Sequence, residues 1–226
     1  MRLLLIRHGQ TPSNVVGALD TARPGADLTD LGRRQAAALP AALAGEPISA
    51  VYASPLVRTQ QTAAPLAAAL GLSVEVIEGI EEISAGDLEM ASDSTAIETY
   101  VGTVAAWVLG DLDRVIPGGS SGHDFLARYD AALTAIAAAH GPDATVAVVS
   151  HGAAIRGYAL LRAGADRVAE FGTLRVHNTG LVALDGSPAT GWRVALWRTE
   201  PLGGAGLDRD TGHDVTGDSA LQPPSP

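Results

Sequence analysis

The chain has neither cysteine nor lysine among its 226 residues. Without cysteine there is no disulfide, no thiolate metal site and no cysteine nucleophile. Without lysine, Schiff-base chemistry and the lysine of a phosphate-binding P-loop are excluded, since all 15 basic residues are arginine. Long apolar runs are missing too: none approaches the ~20 residues that cross a bilayer. No basic-then-apolar leader precedes the first apolar run, so a cytoplasmic location is the expectation. Positive charge is short overall, with 25 acidic residues giving a net charge of −10. Such a surface suits neither nucleic acid nor an anionic membrane. No feature fixes an oligomeric state. A single domain of this length can bury roughly 70% of its unfolded surface, enough for a core without staples.

Three short apolar runs are present, and each ends in chemistry. Leu3–Ile6 leads into Arg7-His8-Gly9, Ala50–Ala53 into Ser54-Pro55 and Arg58, and Val146–Val149 into Ser150-His151-Gly152. In open α/β sheets, ligands bind at the carboxyl ends of the strands. Helical stretches are expected at 33–44, with Thr29 as N-cap, at about 55–70 after a Ser54-Pro55 start, and at 91–110, 123–140 and 154–161. Pro40 and Pro65 predict bends or early ends. A strand is expected at 73–77, and 181–184 pairs with 193–197 as a closing hairpin. Strands alternating with helices argue for an α/β fold, a mostly parallel central sheet with helices on both faces. From Pro201 to Pro226 the chain is poor in apolar residues and reads as a disordered tail.

Four groups of residues occur in a recognisable order: Arg7-His8-Gly9-Gln10-Thr11 with Asn14, Ser54-Pro55-x-x-Arg58-Thr59, Glu82 four residues before Gly86, and Ser150-His151-Gly152. The chain resembles the histidine phosphatase superfamily in its phosphoglycerate-mutase-like branch, from Met1 to about Trp197. The resemblance implies a three-layer sandwich over residues 1–200 with a small helical lid inserted at about 87–121. It also implies that His8 attacks phosphorus to form a phosphohistidine, that His151 stabilises the charged transition state, and that Glu82 is the general acid. Thr11 and Asn14 match polar family positions near the phosphate. Glu81 falls out of register. Gly86-Asp87-Leu88-Glu89-Met90 departs from the family's frequent Gly-x-Trp-Glu-Gly, and Ser120 stands where a Gly-Gly-Glu-Ser element carries its glutamate.

The residue chemistry runs in the same direction. A phosphate monoester brings two negative charges and three acceptor oxygens, which the planar forks of Arg7 and Arg58 match better than lysine could. Helix amino ends after Gly9 and Gly152 would add backbone N–H donors, and the missing side chains would let a ligand approach. With no cysteine and no His-Glu-x-x-His-type metal cluster, imidazole is the remaining nucleophile class. Cations at Arg7 and Arg58 are expected to lower the pKa of His8. No metal and no cofactor is called for. The other four histidines, His123, His140, His177 and His213, read as solvated positions.

The partner is then a small phosphorylated substrate. Hydrolysis is favoured over a mutase-type transfer because 87–121 holds one basic residue, Arg114, against Asp87, Glu89, Asp93, Glu98, Asp111 and Asp113, which would repel a second anion. The absence of an Arg-His-Gly-Glu-Ser sequence points the same way. Leu88, Met90, Trp107 and Val108 suggest an apolar or neutral leaving group. A catalytically silent phospho-ligand binding module is the third reading, and Glu82 argues against it.

Overall fold

A computed structural model of the chain describes residues 1–163, 174–208, 215 and 217. Its centre is a six-stranded sheet in the order β3-β2-β4-β1-β5-β6. The strands β1 (Arg2–Arg7), β2 (Ile48–Ala53), β3 (Val74–Val76) and β4 (Thr145–Ser150) are parallel, while β5 (Leu181–Ser187) and β6 (Gly191–Arg198) extend it antiparallel. The parallel strands are apolar throughout because both faces are covered. Alternate side chains go to opposite faces. Leu3, Leu5, Val146 and Val148 join one core, Leu4, Ile6, Ala147 and Val149 the other. The first core is closed by α4 (Ser94–Val108), α5 (Gly122–Ala139) and α6 (Gly152–Ala163), the second by α2 (Asp30–Ala42) and α3 (Val57–Leu70). This is the three-layer α/β arrangement expected.

Local chemistry sets the helix starts. Thr29 caps α2 by accepting from Gly32 N–H, Asp93 caps α4 from Ala96 N–H, and Ser121 with Asp124 forms a capping box on α5. A short helix, α1 (Pro12–Val16), has a capping box of Thr11 and Asn14. Both helices run past their prolines, to Ala42 and Leu70. One expectation fails. Helix α3 begins at Val57 with Leu56 as its N-cap, not at Ser54-Pro55, because the Ser54 hydroxyl is engaged with Thr59 and His151.

The segment expected to form a lid is packed into the body. Tyr100, Val104 and Trp107 of α4 are core residues, and Trp107 stacks on Phe125 with ring centroids 5.9 Å apart. The start of the expected disordered tail is also ordered. Leu202 is wholly buried in the second core and donates its N–H to Thr179 O, while Leu207 O accepts from Gln35 Nε2 at 2.8 Å. Val215 lies in the first core and Gly217 O accepts from Val176 N–H. Two isolated apolar anchors offset the ordering entropy that composition alone left uncovered. The rest of the tail, with His213, and residues 164–173 lie outside the described residues. No described helix is long and apolar enough to cross a membrane.

Candidate active site

β1 and β4 end level with each other, Arg7 beside Ser150, so the next residues, His8 and His151, come out side by side. Their ring centroids are 5.2 Å apart. Arg58, on the first turn of α3, reaches the same place from β2, and Arg7, His8, Arg58 and His151 are all buried. Arg7 is fixed by donating from Nη1 to Val176 O. Arg58 donates from Nη2 to Asp20 O and lies 3.6 Å from the Asp20 carboxylate, while its Nε and Nη1 have no hydrogen-bond partner among the described residues. Buried guanidinium N–H groups need an acceptor. A small cavity beside them is lined by His8, Thr11, Ser13, Asn14, Asp20, Arg58 and Glu82.

The His8 ring is oriented by its own loop. Nδ1 lies 2.7 Å from Gly9 O, an oxygen that can only accept, so Nδ1 carries a hydrogen and in the neutral ring the lone pair is on Nε2. For His151, burial first, then Arg58 and His8, push the pKa well below the ordinary histidine value, and the ring is neutral. Glu82 is buried as well. Its Oε1 accepts from Ile83 N–H (2.9 Å) and Ala154 N–H (2.8 Å), and its Oε2 from Ala153 N–H at 3.2 Å. Burial raises its pKa against the pull of these three donors and of Arg7. The less saturated oxygen, Oε2, is then the one to carry a proton.

The backbone donors expected at the phosphate are spent elsewhere. Ala153 and Ala154 N–H, at the start of α6, serve Glu82. After His8, Gly9 N–H donates to Thr62 Oγ1, Gln10 N–H to Gln35 Oε1 and Thr11 N–H to Asn14 Oδ1. The glycine after His8 answers to packing: a Cβ there would lie 2.7 Å from Gly32 O of α2. Asn178 is a site residue that the motifs did not reveal. It is buried and donates from Nδ2 to His8 O (3.1 Å) and to Asn14 Oδ1 (3.2 Å). With Thr11 N–H and Oγ also donating to Asn14 Oδ1, the Asn14 amide is held with its oxygen inward and its NH2 turned to the other side. The signal lay in topology: the antiparallel partner of β1 must begin where β1 ends.

The family model of the histidine phosphatase superfamily, branch 1, matches residues 3–200. The chain belongs to that superfamily. It is 35% identical over 216 residues to the PE-PGRS family protein PE_PGRS11 of Mycobacterium tuberculosis, covering 89% of this chain and 37% of that protein, so it spans little more than a third of that relative. It is 30% identical over 216 residues to glucosyl-3-phosphoglycerate phosphatase of the same organism, covering 87% and 93%. Among solved structures, the native mycobacterial glucosyl-3-phosphoglycerate phosphatase superposes with a TM-score of 0.72 at 28% identity, covering 88% of this chain and 99% of that one. The alpha-ribazole phosphatase from Shigella flexneri does so with a TM-score of 0.67 at 27% identity, covering 91% and 99%.

Next to the anion cavity and sharing Glu82 with it lies a cleft of about 790 Å³. One wall is apolar, with Leu56, Ile77, Ala131, Ala132 and Ala135, and the other carries Arg23, Glu78, Glu81 and Arg128. Of the segment 87–121 only Ser120 lines it. Leu88, Met90, Trp107 and Val108 do not, and none of the six acidic residues of that segment lines it either. Glu89 clamps the cleft rim, accepting from Thr21 N–H, Thr21 Oγ and Ala22 N–H, and Asp93 caps α4. Met90 takes φ 62°, a left-handed conformation, at the position where the family's pattern has its second glycine. Arg23 pairs with Glu78 at 3.0 Å and with Glu81. Arg128 donates to Gly79 O, Glu81 O and Glu82 O, which ties down the Glu82 loop. Three other histidines lie away from the site. His123 is beside Asp113, His140 bonds Tyr52, and His177, far from solvated, is held by Asp208. Among the described residues no cluster of three His, Asp or Glu is placed to hold a metal ion.

Proposed function

We propose that the chain is a phosphomonoester hydrolase that works without a metal through a phosphohistidine at His8. What supports this most is the pair of rings 5.2 Å apart among two buried guanidiniums, with the His8 hydrogen committed to Gly9 O. Arg7, Arg58, Asn14 and His151 bind the phosphoryl oxygens. The Nε2 lone pair of His8 attacks phosphorus as the P–O bond to the alcohol breaks. Glu82 gives the proton from Oε2 to the departing oxygen. Water then attacks phosphorus as the P–N bond breaks, Glu82 takes a proton from that water, and inorganic phosphate leaves with His8 restored.

The cleft is the place for the alcohol. Its charges are already matched, Arg23 by Glu78 and Glu81, Arg128 by carbonyl oxygens and Glu81. That favours hydrolysis of a monoester with a neutral, partly apolar leaving group over transfer between positions of a doubly anionic sugar phosphate. Both named phosphatases among the relatives act, by their names, on small phosphorylated metabolites. A silent binding module would have no use for a buried glutamate with a raised pKa. The test is to incubate the protein with a 32P-labelled phosphate ester and quench in base, where phosphohistidine survives. Label on His8 is expected, and label absent or on a serine would overturn the mechanism.

A further inference from the structure

Ser54 lines neither cavity, yet its hydroxyl is wholly buried and lies 2.8 Å from Nε2 of His151. A neutral imidazole has one hydrogen to place on two nitrogens, and the partner of one nitrogen decides the state of the other. The second nitrogen of His151, Nδ1, is buried without a hydrogen-bond partner among the described residues. A phosphoryl oxygen only accepts, so His151 can help bind it only with a hydrogen on Nδ1. The other tautomer would set a lone pair against the anion.

The surroundings of Ser54 leave its hydrogen available for this. Leu56 N–H points at Ser54 Oγ from 3.4 Å. Thr59 Oγ1, 2.9 Å away, has carbonyl acceptors for its own hydrogen, Leu56 O at 2.7 Å and Ser54 O at 2.9 Å. Ser54 is therefore offered one donor and has two places to send its hydrogen, Thr59 Oγ1 or His151 Nε2. We infer that Ser54 is a positioning residue, which donates to Nε2 of His151 and so fixes the Nδ1–H tautomer that binds the phosphoryl group. Burial, which keeps the ring neutral, is what makes the tautomer matter: a protonated ring would donate from both nitrogens whatever Ser54 did. The same serine thus gives up the start of α3 that its sequence position suggested.

The inference rests on the anion-binding part of the proposed function but not on hydrolysis, so its test uses inorganic phosphate. In the full chain with 15N-labelled histidine and phosphate bound, the two ring nitrogens of His151 are read by long-range 1H–15N correlation. Hydrogen on Nδ1 is expected, and hydrogen on Nε2 overturns the assignment. This arm needs no variant. A double-mutant cycle in phosphate affinity by calorimetry then isolates the coupling. Ser54→Ala is expected to weaken phosphate about 10-fold, as the loss of one hydrogen bond to a charged ligand does, and by less than about 2-fold when His151 is already alanine. An equal loss in both backgrounds would mean that Ser54 merely supports the loop. Phosphate binding that follows this pattern while no ester is turned over would sink the hydrolase reading and leave the role of Ser54 standing.

Discussion

At the anion end of the site Arg7, His8, Arg58 and His151 are almost wholly buried, whereas at the cleft end Arg23 is half exposed and its partner Glu78 more so. The two ends obey different physics. Buried polar groups have to be hydrogen-bonded, and at this end Arg7, His8 and Arg58 are held by bonds to Val176 O, Gly9 O and Asp20 O. An exposed ion pair contributes little and is easily exchanged. Geometry is therefore fixed at the buried end, while the Arg23–Glu78 pair at the other is open to exchange.

The comparison breaks most visibly at Glu82, the one residue that lines both ends. Glu82→Gln is expected to slow hydrolysis of alkyl phosphates by about 10²–10⁴-fold. The loss should be much smaller for p-nitrophenyl phosphate, whose leaving group scarcely needs a proton. Because burial raises the Glu82 pKa, the protonated, competent form is lost as pH rises through that value, so kcat/KM for an alkyl ester should fall on the alkaline side. The Gln variant should lack that limb. Equal losses on both esters would make Glu82 only the anchor of α6 that its bonds to Ala153 and Ala154 also make it. A smaller effect is expected from Asn178→Ala, which frees the Asn14 amide to flip: about 10-fold in kcat/KM, the size of one hydrogen bond to an anion. Unchanged kinetics would show that Thr11 alone holds Asn14. Least of all, Arg23→Gln should alter KM by no more than about 3-fold for a neutral-alcohol ester, as expected of an exposed pair. A larger loss, in kcat as well as KM, would mean that the cleft end is as fixed as the anion end.

Much of this was legible in the sequence, for a definite reason. The apolar runs that deliver Arg7, His8 and His151 are parallel strands buried on both faces, and such strands announce themselves and their carboxyl ends. Glu82 came from the family resemblance, which its spacing to Gly86 matches. What escaped was set by contacts between distant segments. Asn178 reaches His8 across the β1–β5 pairing, and no local pattern marks it. The acidic residues of 87–121 were counted by charge, but Glu89 serves as a clamp and Asp93 as a cap, which composition does not reveal. Trp107 and Val108 were read as lid because the insertion was located from the family pattern, yet both are core. Leu202 and Val215 were lost in a polar average, although one buried side chain is enough to pin a segment.

Gln35 holds two distant parts of the chain with one amide. Its oxygen accepts from Gln10 N–H in the loop after His8, and its nitrogen donates to Leu207 O, past β6. For anyone producing this protein, that amide draws a boundary. A purification tag or fusion partner belongs after residue 217, beyond Val215 in the first core and the bond from Val176 N–H to Gly217 O, whereas a shortened version ending at β6 strips one side of the clasp and leaves the loop that carries His8 with a looser footing. Such a version would be judged a poor enzyme for reasons of cloning.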